Sequence, residues 1–200
     1  GRYVPTHPMA GKESNGASSA SFDLFADRLW VICPTESGFH TDRAQELIAV
    51  CGAIAIEMQP AEHDQTVALT SHLPQVLASA LAAELSGLTA QEVAVSGQAL
   101  RDMTRIAASP AALWTDILLA NRANLLPLLR NVQSSLRAVS SALETGSSAA
   151  ISGLIQRGNE GRSLIPGKHG NQQRRYATVA ILIDDQPGQL AEIFSCAGRG

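Results

Sequence analysis

His7 is followed by Pro8, and that order fixes a piece of backbone before any fold is known. A proline ring disfavours the helical region for the residue before it, so the His7 imidazole sits on extended chain. A neutral imidazole at a strand end is a candidate general base, because its ordinary pKa lies near neutrality and ligands of α/β sheets gather at strand ends. A lone histidine is more often structural, since only geometry with a partner makes a base. Two further polar pairs, His63-Asp64 and Ser71-His72, interrupt an otherwise apolar helical stretch. At about 100° per residue, Asp64 and Ser71 share one face two turns apart, with His72 roughly 80° round from Asp64. This line of polar groups is either a pocket wall or an exposed first turn followed by a satisfied core histidine. Asp102 and Arg105 stand at i, i+3 beside Arg101. They read either as a surface ion pair or as a receptor in which Arg105 takes a substrate carboxylate in its planar fork while Asp102 orients it. Trp114 reads as core. No metal is expected, because nine residues separate His63 from His72 and no i, i+4 His/Glu set exists to complete a ligand group.

The elements that must position these residues change character near residue 60. Residues 1–59 alternate short β-rich runs with one helix: Tyr3-Val4, Leu29 to Cys33 before Pro34, a helix over Thr41 to Gly52, and a strand over Ala53 to Met58. That is the end of an α/β sheet, with a Ser- and Gly-rich loop between Gly11 and Ser21. Residues 60–157 carry helical periodicity. The first helix opens at Pro60 and runs to about Gly87, kinked just after Ser71-His72 because Pro74 has no N–H for the Thr70 carbonyl. A second covers roughly 97–108, and a third runs from Ser109-Pro110 to Thr145-Gly146. In the third, Leu125, Leu129, Val132, Leu136, Val139 and Leu143 are spaced 4, 3, 4, 3, 4. This heptad seam fits an intramolecular bundle or a second subunit equally well. Residues 158–173, with several Gly, Pro, Asn and basic residues, read as a linker. A third unit opens at 174–200 with a strand over Tyr176 to Ile183, the turn Asp184-Asp185-Gln186-Pro187-Gly188 and the start of a helix.

Composition narrows the function. The 200 residues carry 15 Lys+Arg against 18 Asp+Glu, a net charge of −3, so no basic excess exists for nucleic acid. No stretch approaches the roughly 20 apolar residues of a membrane span, and no secretory leader is evident. Three scattered cysteines, Cys33, Cys51 and Cys196, fit reduced thiols in a cytoplasmic protein. The chain opens on Gly rather than Met and reads as an internal piece of a longer one.

Taken in order, His7-Pro8-Met9-Ala10-Gly11, Glu13 and Gly16, Trp30 to Pro34, His63-Asp64, Ser71-His72-Leu73-Pro74, Arg101-Asp102-Met103-Thr104-Arg105-Ile106-Ala107 and Trp114 resemble the prephenate dehydrogenase family of tyrosine biosynthesis. The likeness runs from residue 1 to about 145. It implies an N-terminal dinucleotide-binding (Rossmann-like) domain and an all-helical domain through which two subunits dimerise. The reaction it implies is oxidative decarboxylation of prephenate with NAD or NADP, some members using arogenate. By that resemblance His7 matches the catalytic histidine that removes the ring hydroxyl proton, Arg105 the arginine for a substrate carboxylate, and His72, with Ser71 beside it, the second pocket histidine. Glu13 and Asp102 match acidic residues at the entrance, Asp102 from either subunit. Asn15 stands where the family usually has Ser, and no GxGxxG turn occurs in these residues, so the phosphate-binding fingerprint is expected upstream. From Tyr176 the chain resembles the start of an ACT domain, an α+β ligand-binding regulatory module, which implies tyrosine as a regulator. The fold expected is therefore mixed: the end of an α/β domain over 1–59, helices over 60–157, and an ACT-like start over 174–200. The competing reading is a non-catalytic helical dimerisation and regulatory module in which His7 and Arg105 are structural.

Overall fold

A computed structural model describes residues 3–11, 20–35 and 38–165 of the chain. The chain divides into two compact units, 1–158 and 159–200, and the sheet and the helices up to Thr145 belong to the first. Glu13, Gly16, Cys196 and the ACT-like segment lie outside the described residues.

Three short strands make one sheet in the order β1 (Thr6–Pro8), β2 (Leu29–Ile32), β3 (Ile54–Glu57). β1 runs antiparallel to β2, with His7 opposite Val31 and Pro8 opposite Trp30. His7 is thus inside a strand rather than after one. Pro8 is tolerated because β1 pairs on one side only among the described strands, so its missing N–H costs no ladder bond there. The Met9 and Cys33 N–H groups close the two ends of the ladder, on the Leu29 and Pro5 carbonyls. β2 and β3 are parallel, joined by the crossover helix α1 (Gly38–Val50). Parallel strands need such a crossover, and the core here gathers at the end of β2, where Val31, Ile32 and Cys33 are buried, as is Ile48 of α1. Gly52 takes φ +69° in the tight return to β3, a conformation that favours glycine.

The helical region opens where Pro60 places it. α2 (Pro60–Val67) begins with proline in its first turn and Glu62 at its positive end. A π-turn over Ala68–His72 follows, in which the Leu73 N–H reaches back five residues to the Ala68 carbonyl, and α3 (Leu73–Ala83) continues. Where the sequence predicts a kink, the regular α-helical hydrogen-bond pattern is interrupted. The interruption takes the form of one inserted residue, a common way for a helix to accommodate a missing donor. A 3-10 turn over Glu84–Gly87 ends this arm. The short α4 (Ala90–Ala94) has a capping box between Thr89 and Glu92, a signal present in the sequence and overlooked there. α5 (Gln98–Thr104) ends in a 3-10 turn, Arg105–Ala107.

The long third helix of the sequence reading is two helices, α6 (Ala111–Ala120) and α7 (Arg122–Thr145), broken at Asn121. No Gly or Pro marks the break, which is why periodicity alone runs through it. Gly146 closes α7 in the left-handed conformation at φ +70°, as its position predicts. The π-turn and α3 pack on α7, where Val67, Ala68, Leu73, Ala78 and Leu125 are buried. α8 spans Ser148–Ser163, so the first six residues read as a linker, Gly158 to Ser163, are helical. Their glycines sit singly among good helix formers and lower the propensity without ending the helix. Among the described residues, no helix is long and apolar enough to cross a membrane.

Candidate active site

The register of β1 brings His7 against the first turns of α2. His7 Nδ1 and His63 Nε2 are 2.8 Å apart, and the two rings meet edge to face with centroids 5.1 Å apart. His63 Nδ1 in turn lies 2.9 Å from Asp64 Oδ1. Asp64 is largely solvent-exposed, whereas the His63 side chain is mostly covered. The pair is therefore more than an exposed first turn: it backs the strand histidine.

His72 owes its position to the π-turn. Pro74 removes the donor that would keep the ladder regular, and the extra residue turns the His72 ring toward α7, where it is buried. There it meets Asn121, the residue at the break between α6 and α7. Asn121 Nδ2 lies 2.7 Å from the Asp64 carbonyl oxygen and 3.2 Å from His72 Nδ1, while Asn121 Oδ1 accepts from Asn124 Nδ2 at 2.8 Å. With its oxygen occupied by a donor, the Asn121 amide can only donate to His72. The His72 proton is then on Nε2, and Nδ1 is the acceptor.

His7 and His72 border one cleft of about 740 Å³, lined also by Ser71, Gln75, Arg105 and Trp114 among others. Among the described residues no carboxylate lines it, and Arg105 is its cation. Trp114, which reads as core from sequence, forms a wall and meets His72 edge-on at 6.2 Å between ring centroids. Gln75 is a lining residue that sequence reading missed. It stands four residues after Ser71, hence on the same helix face, and is buried with its Nε2 3.3 Å from Ser79 Oγ. Ser109 donates to the Ile106 carbonyl at 2.7 Å and holds the chain where Arg105 leaves α5.

Of the residues singled out in the sequence, His7, Ser71, His72 and Arg105 come together. Asp102 does not line the cleft; it is on the outer face of α5 and accepts a hydrogen bond from Gln98 Nε2 at 2.7 Å. Glu13 falls outside the described residues. Among the described residues, no group of three or more His, Cys, Asp and Glu could hold a metal ion.

The electrostatics favour neutral imidazoles. His7 is pushed below its ordinary pKa of 6.5, first by loss of water to the cleft walls and then by the neighbouring His63 and His72. His72 is lowered mainly by burial, against a raising influence from the Asp64 carboxylate and with a smaller lowering one from His63. A neutral His7 beside a cationic arginine can take a proton from a bound anionic substrate, and the neutral His72 can donate a hydrogen bond from Nε2.

Part of a nucleotide-binding type of α/β sheet that hands a histidine to a cleft in a helical region is the architecture of a two-domain dehydrogenase. Comparison with known families agrees: residues 1–57 match the prephenate dehydrogenase nucleotide-binding domain, and residues 59–156 match the prephenate dehydrogenase dimerization domain. The chain belongs to the prephenate dehydrogenase family. It is 31% identical over 214 residues to a Streptomyces niveus protein named as a probable prephenate dehydrogenase, covering 98% of this chain and 58% of that protein. It is 36% identical over 151 residues to the cyclohexadienyl dehydrogenase of Zymomonas mobilis, covering 70% of this chain and 50% of the relative. The chain thus spans about half the length of these relatives. The fold is also that of the prephenate dehydrogenase of Aquifex aeolicus, solved in complex with hydroxyphenyl propionate and NAD+, at a TM-score of 0.68 and 24% identity over 80% of this chain and 57% of that one.

Proposed function

We propose that the protein catalyses the NAD- or NADP-dependent oxidative decarboxylation of prephenate to 4-hydroxyphenylpyruvate, with arogenate as the related substrate. The observation that carries this reading is the convergence of His7 and Arg105 on one cleft. Prephenate is a dicarboxylate with a ring hydroxyl at C4. The Arg105 guanidinium presents a planar fork that matches a carboxylate. His7 accepts the hydroxyl proton as the C4 carbonyl develops, and the Nε2–H of His72 is available to a substrate oxygen. Ser71, on the same wall, adds a hydroxyl to the binding set. Asp102, outside the cleft of one chain, enters this scheme only as a contribution to the entrance of a second subunit's site, and Glu13 as a second entrance acid.

The nicotinamide supplies the hydride acceptor when the dinucleotide is bound. The 200 residues contain no glycine-rich GxGxxG turn, so none of them is assigned to the pyrophosphate. The match of residues 1–57 to a nucleotide-binding domain supports dinucleotide use. The dimerization-domain match supports a homodimer, and the α7 seam offers a surface for it: Leu136 and Leu143 are 55% and 68% exposed in one chain. Scattered free cysteines fit a cytoplasmic enzyme. The ACT-like sequence from Tyr176 supports inhibition by tyrosine. The test is turnover of the full-length protein with prephenate and with arogenate, each with NAD and NADP. Reduced nicotinamide should form with at least one pair, and its absence with all four would sink the reading.

A further inference from the structure

We propose that His63 and Asp64 are a positioning pair that decides which nitrogen of His7 is the base. The inference rests on the reading of His7 as the group that takes the substrate proton, and it starts from two distances. Asp64 Oδ1 stands 2.9 Å from His63 Nδ1, and His63 Nε2 stands 2.8 Å from His7 Nδ1. An ionised carboxylate only accepts hydrogen bonds, so the proton of neutral His63 must be on Nδ1. His63 Nε2 is then a bare lone pair. At 2.8 Å it needs a donor, and the facing atom is His7 Nδ1. The His7 proton is therefore on Nδ1, which leaves the His7 Nε2 lone pair for the cleft.

The reverse polarity, with His63 Nε2–H donating to His7 Nδ1, would require His63 to carry protons on both nitrogens. If His63 Nε2 carried the proton while His63 stayed neutral, Nδ1 and the carboxylate would be two acceptors facing each other at 2.9 Å. In the proposed polarity the proton transfer is simple. The substrate O–H bond breaks with its electron pair left on oxygen, and a new N–H bond forms at His7 Nε2. The resulting imidazolium keeps donating from Nδ1 to His63, whose own N–H remains on Asp64. Asp64 itself stays ionised. His72 and Arg105 line the same cleft as His7, from the π-turn and from the end of α5. The rings meet edge to face, with 68° between their planes, an arrangement compatible with an in-plane N–H···N contact. Local sequence builds the pair: Pro60 starts α2 where the chain leaves β3, so residues 63 and 64 fall in its opening turns beside β1.

Two measurements test the proposal. Nitrogen-15 spectra of the imidazoles of the unaltered chain at neutral pH should show His7 protonated on Nδ1 and bare on Nε2, and Asp64→Asn should shift population toward the Nε2–H form. In the full-length protein, Asp64→Asn should lower kcat by roughly 10- to 10²-fold with KM little changed, below the loss seen for a buried orienting aspartate because this carboxylate is in contact with water. A His7 that carries its proton on Nε2 in the unaltered chain overturns the proposal, whatever the variant does. So does an Asp64→Asn enzyme with parental kcat. His7→Asn separates the two readings: if it destroys turnover while Asp64→Asn does not, the relay falls and the base stands. If His7→Asn leaves turnover intact, the base reading itself falls.

Discussion

Replacing Asn121 by alanine should uncouple the two helical arms that form the cleft. The side chain makes three contacts: to the Asp64 carbonyl at 2.7 Å, to His72 Nδ1 at 3.2 Å, and from Asn124 at 2.8 Å. A neutral intramolecular hydrogen bond contributes about 0.5–1.5 kcal/mol net. The Asp64 contact is exposed and the His72 contact long, so water recovers part of the loss, and a total of about 2 kcal/mol is expected. For a chain of this size that corresponds to a fall in Tm of roughly 4–8 °C. The functional effect is separate. Without the amide donor the buried His72 has no fixed tautomer, so KM for the acid substrate should rise while kcat, which depends on His7, stays near its parental value. Differential scanning calorimetry and steady-state kinetics on Asn121→Ala measure both. An unchanged Tm together with an unchanged KM would refute the assignment of Asn121 as the residue that fixes His72.

Four further outcomes are expected. Arg105→Ala should raise KM strongly, since a charge-assisted bond to a carboxylate is worth roughly 1.5–3 kcal/mol, and Arg105→Lys should restore only part because it lacks the fork; an unchanged KM would remove Arg105 from the site. Pro74→Ala returns the N–H that the π-turn lacks and should let the helix regularise, turning His72 by roughly 100° relative to α3; KM should rise with Tm equal or higher, and an unchanged KM would show that the π-turn is not what aims His72. A base works deprotonated, so with the His7 pKa lowered the acid limb of kcat/KM should be centred below pH 6.5; an acid limb centred above 6.5 would contradict that environment. Leu136→Glu with Leu143→Glu should convert a dimer to a monomer in light scattering, whereas a parental chain that is already monomeric would show that this exposed seam does not join two subunits.

How far the sequence could be read depended on whether a residue type announces its own geometry. Pro60, Pro74 and Gly146 each restrict or free the backbone in a known direction, and the helix start, the interruption and the helix end all fall where they stand. The βαβ return from Leu29 to Glu57 was legible for the same reason, as two short β-branched runs around one amphipathic helix. Asn121 gave no such signal. Asparagine is only slightly unfavourable in a helix, and the periodicity of α6 passes through it without interruption. What breaks the helix is tertiary: the amide has two acceptors waiting, one on α2 and one on the π-turn. The site divided along the same line. His7, His72, Ser71 and Arg105 were named from their chemistry, and they do meet. That His63 would contact His7 was hidden, because 56 residues separate them and only the register of β1 brings them together.

The central claim is that His7 removes the substrate proton. Its most direct test is His7→Asn in the full-length protein, with kcat measured for prephenate oxidation and substrate affinity measured by calorimetry on the same preparation. Loss of a general base should lower kcat by about 10²- to 10⁴-fold while binding, carried by Arg105, persists. A variant that binds prephenate and turns it over at close to the parental rate would contradict the account.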